Sequence, residues 1–414
     1  MSPHKISTVS SLLDVTAYSI SQNGFLPGDA PLWSLPNSYY HPWEFLIGSL
    51  PEHLERKTLR IAIDNLVVLS TDGLDAEPEW QRAYLILTML AQGYIWQGPQ
   101  PSEHLPPAIS IPLLAVSSHL SVLPVATYAA LNLWNWTPTS AHGDICNPDN
   151  LVALHTFTGT DDESWFYVVS NAMEARAAPV LAAMLLAMQA VEQNNADRVI
   201  ESLDFLAKSL VEIGELIDRM HERCDPMVFY HQIRPYLAGS KNMQAAGLPD
   251  GVFFDEGEGR GKWRRYRGGS NGQSSFIQFF NAVLGVVHEK TEDFHQEMRQ
   301  YMPGPHARFL DEVCEVANVR EYVESRPRDV ELTLAFNDAI ASLTVFRNKH
   351  LNLVSRYIIL PSRQPKPVGK SARQDLATAC STIVNGQELV GTGGTKLLPF
   401  LKQTRDDTAA TSVS

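Results

Sequence analysis

The stretch 329-DVELTLAFNDAIASLTVFRNKHLNLVSRYIIL-360 decides how this chain folds. Pro327 precedes it and Pro361 closes it, so it reads as one uninterrupted helix. Leu332, Phe336, Leu343, Phe346, Leu353, Val354 and Tyr357 recur along it at helical spacing. A helix of roughly 30 residues spans ~45 Å, enough to cross a whole domain. His350 falls on the same face, between Phe346 and Val354, and Arg347 flanks it one turn earlier.

A histidine placed so deep has two readings. It is a core residue satisfied by a backbone carbonyl, or it is the axial ligand of a haem iron, for which neutral imidazole is a common donor. In the second reading Arg347 reaches a haem propionate while His350 holds the iron.

Composition bounds the rest. The chain has 414 residues, 44% hydrophobic and 19% charged, and suits one large or two medium globular domains. A net charge of -13 disfavours broad nucleic-acid binding. The basic run Arg260, Lys262, Arg264, Arg265 and Arg267 has Asp255, Glu256 and Glu258 beside it, and is expected to be a solvated loop or an anion-facing rim. Cys146, Cys224, Cys314 and Cys380 form no CxxC pair, which suits a reducing compartment. The N-terminal residues lack the pattern of a signal peptide, so a cytoplasmic protein is expected. Two apolar regions, 104–143 and 177–191, are interrupted or short and are expected to be buried helices rather than membrane spans.

Taken in order, residues 1 to about 60 are rich in Pro, Ser and Trp and are expected to be irregular. Helices follow near residue 52 and Glu79, and the loop-like 137–150 marks a domain boundary. Asp161 and Asp162 are placed to cap a helix that carries Phe166 and Ser170 on one face. Leu203, Leu206, Leu210, Ile213, Ile217 and Met220 form a packing seam. Asp225 and Pro226 start the next helix, and Pro235 should kink it at Arg234. An arginine there needs an anion, either a structural carboxylate or a ligand. Gly268, Gly269 and Gly272 allow the backbone to approach something bulky ahead of a helix whose first N–H groups suit an anion. Gly268 to Gly272 also spell GxSxG, and Ser270, Asp338 and His350 follow the order of one hydrolase class. The required buried strand is missing, since KWRRYR precedes the motif. The polar segment after Pro361, ending in Gly391-Thr392-Gly393-Gly394-Thr395, is a linker or a lid.

Four segments in this order, RGGSNGQSSFIQFFNAVLGV, YMPGPHARFL, HLNLVSRYIILP and GTGGTKLLPFL, resemble the indoleamine 2,3-dioxygenase family. Weaker similarity runs back through FYHQIRPYLAG, WFYVVS, LPVATYAALNLWNW and GYIWQG. The resemblance implies a mainly α fold. A small N-terminal helical domain with minor irregular or β elements (1–150) would lie over a large all-α domain (151–414), with haem b between helices and a mobile loop at about 361–395. It implies His350 as the proximal iron ligand and Ser270 and Arg347 near the propionates. It implies a substrate pocket of Tyr128, Phe166, Ser170, Phe229, Leu237, Gly269 and Asn271, with Arg234 on the substrate carboxylate and Thr392 near its amine. The implied reaction adds dioxygen across the indole 2,3-bond of L-tryptophan to give N-formylkynurenine, with ferrous iron kept by an external reductant. No residue acts as acid or base, and no nucleic-acid or membrane partner is expected. The alternatives are a haem enzyme for another indole and a dioxygen-binding protein of the same fold. Two positions depart from the family pattern. Asn271 replaces a small alanine beside the ligand. Asn281 replaces an aspartate that often pairs with the arginine at Arg347, and an arginine without it is expected to hold its propionate less firmly.

Overall fold

The computed structural model describes residue 9 and residues 14–364 and 397–414. The N-terminal part holds short helices α1 (His41–Gly48), α2 (Leu50–Arg56) and α3 (Leu59–Asp64), then α4 (Glu77–Trp96) and α5 (Pro107–Leu120). The following part holds α6 (Asp161–Glu192), α7 (Ala196–Asp218), α8 (Ser275–Val283), α9 (Glu292–Arg299), α10 (Gly304–Val316), α11 (Val319–Glu324), α12 (Val330–Val354) and α13 (Leu397–Ala409). The protein is mainly α, as expected.

The quoted stretch is α12 with a continuation. Asp329 caps its start by accepting from the Leu332 amide. Beyond Val354 the helix widens into a π turn, Ser355–Ile359, and ends in Leu360–Ser362. Helix α7 packs along both α12 and α6 and fills the centre. Its Leu203, Leu206, Leu210, Ile213 and Ile217 are all buried, so the seam is core. Thr160, rather than Asp161 or Asp162, caps α6: its hydroxyl accepts from the Glu163 amide, and the two aspartates lie in the first turn, where the helix dipole favours them. The 177–191 stretch belongs to this longer helix. By length and composition α6 is apolar enough to cross a membrane, but 61% of its apolar window is buried inside the fold.

Strands are few. β1 (His104–Leu105) runs parallel to β4 (Val252–Gly257), which pairs antiparallel with β5 (Arg260–Arg264); β2 (Thr137–Pro138) pairs with β3 (Leu151–Val152). The basic run expected as a loop is therefore largely strand β5. Its charges are met locally: Arg260 by Glu258, Arg264 by Glu256, Arg265 by Asp250 and Arg267 by Glu297.

Helix α4 is buried along most of its length and pins the segment that carries Arg234. Gln92 Nε2 donates to the carbonyls of Tyr236 and Ala238, each at 2.8 Å, and Trp96 Nε1 donates to Ala238 at 3.0 Å.

Candidate functional site

A cavity with about 220 Å³ of space for the centres of water-sized molecules lies between α6, α12, the glycine segment and α13. Its floor is the apolar face of α12, with Phe346, Arg347, His350, Leu353 and Val354. His350 lies deep, yet it is only half-buried, because its free surface faces this cavity. Among the described residues neither ring nitrogen has a hydrogen-bond partner, so the core reading with a carbonyl acceptor does not hold. Burial, and then the nearby Arg347 cation, bring its pKa down to about 4. The imidazole is thus neutral at physiological pH, with a lone pair to give.

No group of three or more His, Cys, Asp or Glu that could hold a bare metal ion occurs among the described residues. A lone neutral imidazole in an apolar cavity would suit an iron whose remaining ligands come from a macrocycle. Arg347 lines the same cavity and offers the positive charge that a macrocycle's carboxylates need. Its Nη2 donates to the amide oxygen of Asn281, while its buried Nε has no partner among the described residues. The residues present therefore fit a haem.

Three π turns shape the walls: Ala129–Leu133, Phe229–Ile233 and Ser355–Ile359. An extra residue in the turn bulges the backbone and re-aims the side chains beside it. Tyr128, Leu131 and Asn132 face the cavity from the first, Phe229 and the following Arg234 from the second, Tyr357 and Ile358 from the third. Phe166, Ser170 and Met173 come from α6. The aromatic rings make a box. Phe166 and Phe229 lie 4.8 Å apart, and Phe229 meets Tyr357 edge-on at 5.7 Å. Tyr357 is held by its hydroxyl, which donates to the Cys224 carbonyl at 2.7 Å. Arg234 is fully buried, with its guanidinium 5.7 Å from the Tyr230 ring centre.

The glycine segment closes another side. A Cβ on Gly268 would sit 2.0 Å from the Leu237 carbonyl, and one on Gly239 would sit 2.3 Å from the Gly268 amide. What Gly268 admits is thus the backbone of the Arg234 segment, not a ligand, while Gly269 and Gly272 line the cavity. Gln273 ties this segment to the Tyr128 wall, donating to Gly268 and accepting from the Tyr128 amide, each at 2.9 Å. Ser270 has extended backbone (φ −152°, ψ 144°) and its hydroxyl accepts from the Gly272 amide. It lacks the strained turn of a hydrolase nucleophile.

A family model described as indoleamine 2,3-dioxygenase matches residues 14–411. The chain belongs to the indoleamine 2,3-dioxygenase family. It is 41% identical over 402 residues to indoleamine 2,3-dioxygenase qulI of Penicillium citrinum, covering 96% of this chain and 88% of that one. It is 37% identical over 423 residues to the indoleamine 2,3-dioxygenase of Saccharomyces cerevisiae, covering 95% and 93%. It is also 37% identical over 399 residues to 6-hydroxytryptophan 2,3-dioxygenase fscD of Fusarium equiseti, covering 96% and 97%. The indoleamine 2,3-dioxygenase family is one of oxidoreductases acting on indole substrates.

All the expected site residues within the described part line this one cavity: His350, Arg347, Ser270, Tyr128, Phe166, Ser170, Phe229, Arg234, Leu237, Gly269 and Asn271. Asn271 is exposed, at the cavity's edge. Thr392 and residues 365–395 of the expected loop lie outside the described residues. The sequence reading missed His295, Phe294, Phe276 and the α13 residues Phe400, Leu401 and Thr404, which line the cavity too. It also missed Glu174, whose position one helical turn after Ser170 was the available signal. Glu174 is buried and accepts from Ser274 at 2.9 Å, with the Tyr128 phenol alongside. Burial outweighs these bonds and pushes its carboxyl up to about 7.

Proposed function

We propose that this protein is a haem-dependent dioxygenase of the cytoplasm that adds both atoms of dioxygen across the indole 2,3-bond of L-tryptophan, giving N-formylkynurenine. The observation that carries this reading is the convergence, in one cavity, of a neutral unpartnered imidazole, an aromatic box and a fully buried guanidinium. When bound, ferrous haem b supplies the activation of dioxygen, and an external reductant keeps it ferrous.

The chain's own residues bind, orient and exclude water. His350 would hold the iron, and Arg347 and Ser270 would supply the cation and the donor for the propionates. Phe166, Phe229 and Tyr128 stack against the indole and keep water from it. Arg234 takes the substrate carboxylate in a planar, two-pronged contact, which sets the indole's position relative to the iron. Ser170, Leu237 and Gly269 shape the wall, and Thr392 meets the amine. No side chain need move a proton to start the reaction.

A second reading is a substrate with a modified indole. It is favoured by the polar Asn271 at the cavity's edge and by the relative named for 6-hydroxytryptophan. A dioxygen carrier fits less well, because a carrier has no use for Arg234. The deciding experiment follows dioxygen consumption and product identity in the reduced protein with L-tryptophan, 6-hydroxytryptophan, tryptamine and indole. N-formylkynurenine from L-tryptophan at the highest kcat/KM supports the main reading. A preference for the hydroxylated substrate supports the second, and tight dioxygen binding without consumption would overturn both.

A further inference from the structure

Beside Arg347 the cavity wall contains an unspent group of polar atoms. His295, on α9, lines the cavity and is buried, and among the described residues neither of its ring nitrogens has a hydrogen-bond partner. Arg347 Nε has none among them either. His288 stacks on His295 with ring centres 4.7 Å apart, and its Nδ1 is held by Asp407 of α13 at 3.1 Å. Phe294 and Phe400 pack around the His295 ring and keep it from turning outward.

Buried donors are nearly always paired, and each one left unmet is costly. Two unmet groups lining one cavity, close enough for the Arg347 charge to act on the His295 ring, call for an anionic acceptor. Among the described residues no carboxylate fills the role, since Asp407 is engaged by His288. A haem has carboxylates to offer there. We propose that His295 and Arg347 together form a clasp for one haem propionate, with His288 and Asp407 as the backing that fixes the His295 ring. This rests on the haem reading above. It adds a binding residue on α9, an element the resemblance did not implicate.

The clasp has a consequence for protons. Burial keeps the His295 ring neutral, and the charged and titratable groups that act on it, His288, Arg347 and Arg299, add to this. Asp407 and Glu292 act on His288. A propionate brought against His295 reverses the local field and favours the imidazolium. Binding should therefore draw a proton from solvent onto the ring, and haem should be held more tightly as pH falls from 8 to 6.

The test measures haem loss from the full-length holoprotein to excess apomyoglobin, at pH 6, 7 and 8. His295→Leu keeps an apolar fill, and His295→Gln keeps a neutral donor. His295→Leu should speed loss about 10- to 100-fold, the range for a lost hydrogen bond to a charged group. His295→Gln should lose less and show no pH dependence. The Soret spectrum should not change in either, since the iron ligand is intact. The same chain loaded with haem dimethyl ester, which has no free carboxylate, should lose it at equal rates in wild type and both variants. Equal loss of ordinary haem by wild type and His295→Leu, or equal acceleration with the dimethyl ester, would overturn the clasp. A wild-type chain that takes up no haem would overturn the reading beneath it instead.

Discussion

Arg347 donates through Nη2 to the amide oxygen of Asn281, 2.5 Å away. The arginine is thus positioned by a neutral partner, and its charge is not cancelled. Burial, opposed by the distant Asp407, already draws its pKa down to about 10, the mark of a cation short of anions. An uncancelled charge should hold a propionate more firmly, where the sequence reading expected it to hold less firmly. Asn281→Asp should raise the melting temperature of the haem-free chain and weaken haem binding, by on the order of 2 kcal/mol for charges sharing a buried site. Thermal melts and haem titrations of the variant check both signs. A variant that bound haem more tightly would show that positioning outweighs charge.

His350→Ala should abolish tight haem binding or leave a weak, spectrally altered complex. Haem content and the absorption spectrum of the purified variant report this directly. An unchanged Soret band would remove His350 from the iron.

Arg234→Ala should spare folding and haem content. With L-tryptophan it should cost about 2–5 kcal/mol, the usual loss when one partner of a buried charge pair is truncated. That is roughly 30-fold to several thousand-fold in kcat/KM. Tryptamine and indole, without a carboxylate, should lose far less. Uniform loss across all three substrates, with a lowered melting temperature, would make Arg234 a structural residue.

Ser270→Ala removes a hydroxyl that accepts from the Gly272 amide. The cost should be about 1 kcal/mol of local stability, with dioxygenation retained. A fluorophosphonate probe should leave wild-type Ser270 unlabelled; labelling would revive the hydrolase reading.

Glu174 predicts a pH effect on stability. Its carboxyl titrates near 7 in the folded chain against 4.5 as the reference value. Between those values the folded state binds more protons than the unfolded chain, so stability falls as pH rises through the window. Above it the buried carboxylate costs on the order of 3 kcal/mol. Glu174→Gln should therefore be more stable than wild type at pH 8, with the advantage gone at pH 4. His295, His306 and His350, held below their ordinary value, act in both proteins alike and cancel in the difference. Urea midpoints across pH measure it, and a constant difference would place the Glu174 titration elsewhere.

Local pattern alone carried much of this protein. The spacing of Phe346, His350 and Val354 places a histidine on an apolar helical face, because helical periodicity is a property of neighbouring residues. The same holds for the α7 seam and for the Asp225-Pro226 helix start, where Asp225 accepts from the Met227 and Val228 amides. The resemblance of the glycine and histidine segments then named eleven residues that share one cavity. What the sequence left open were relations between distant parts. The two readings of His350 differ only in whether a carbonyl lies near its ring, and packing decides that. Gly268 reads as room for a ligand, yet it admits the backbone of Leu237 to Gly239, because the α4 contacts bring that segment there. The three π turns have no period of their own in the sequence; they arise where a helix yields to the wall it must build. His295 carries no local signal at all. Its two ring nitrogens are unpaired among the described residues, and only a folded chain can leave a buried group without a partner.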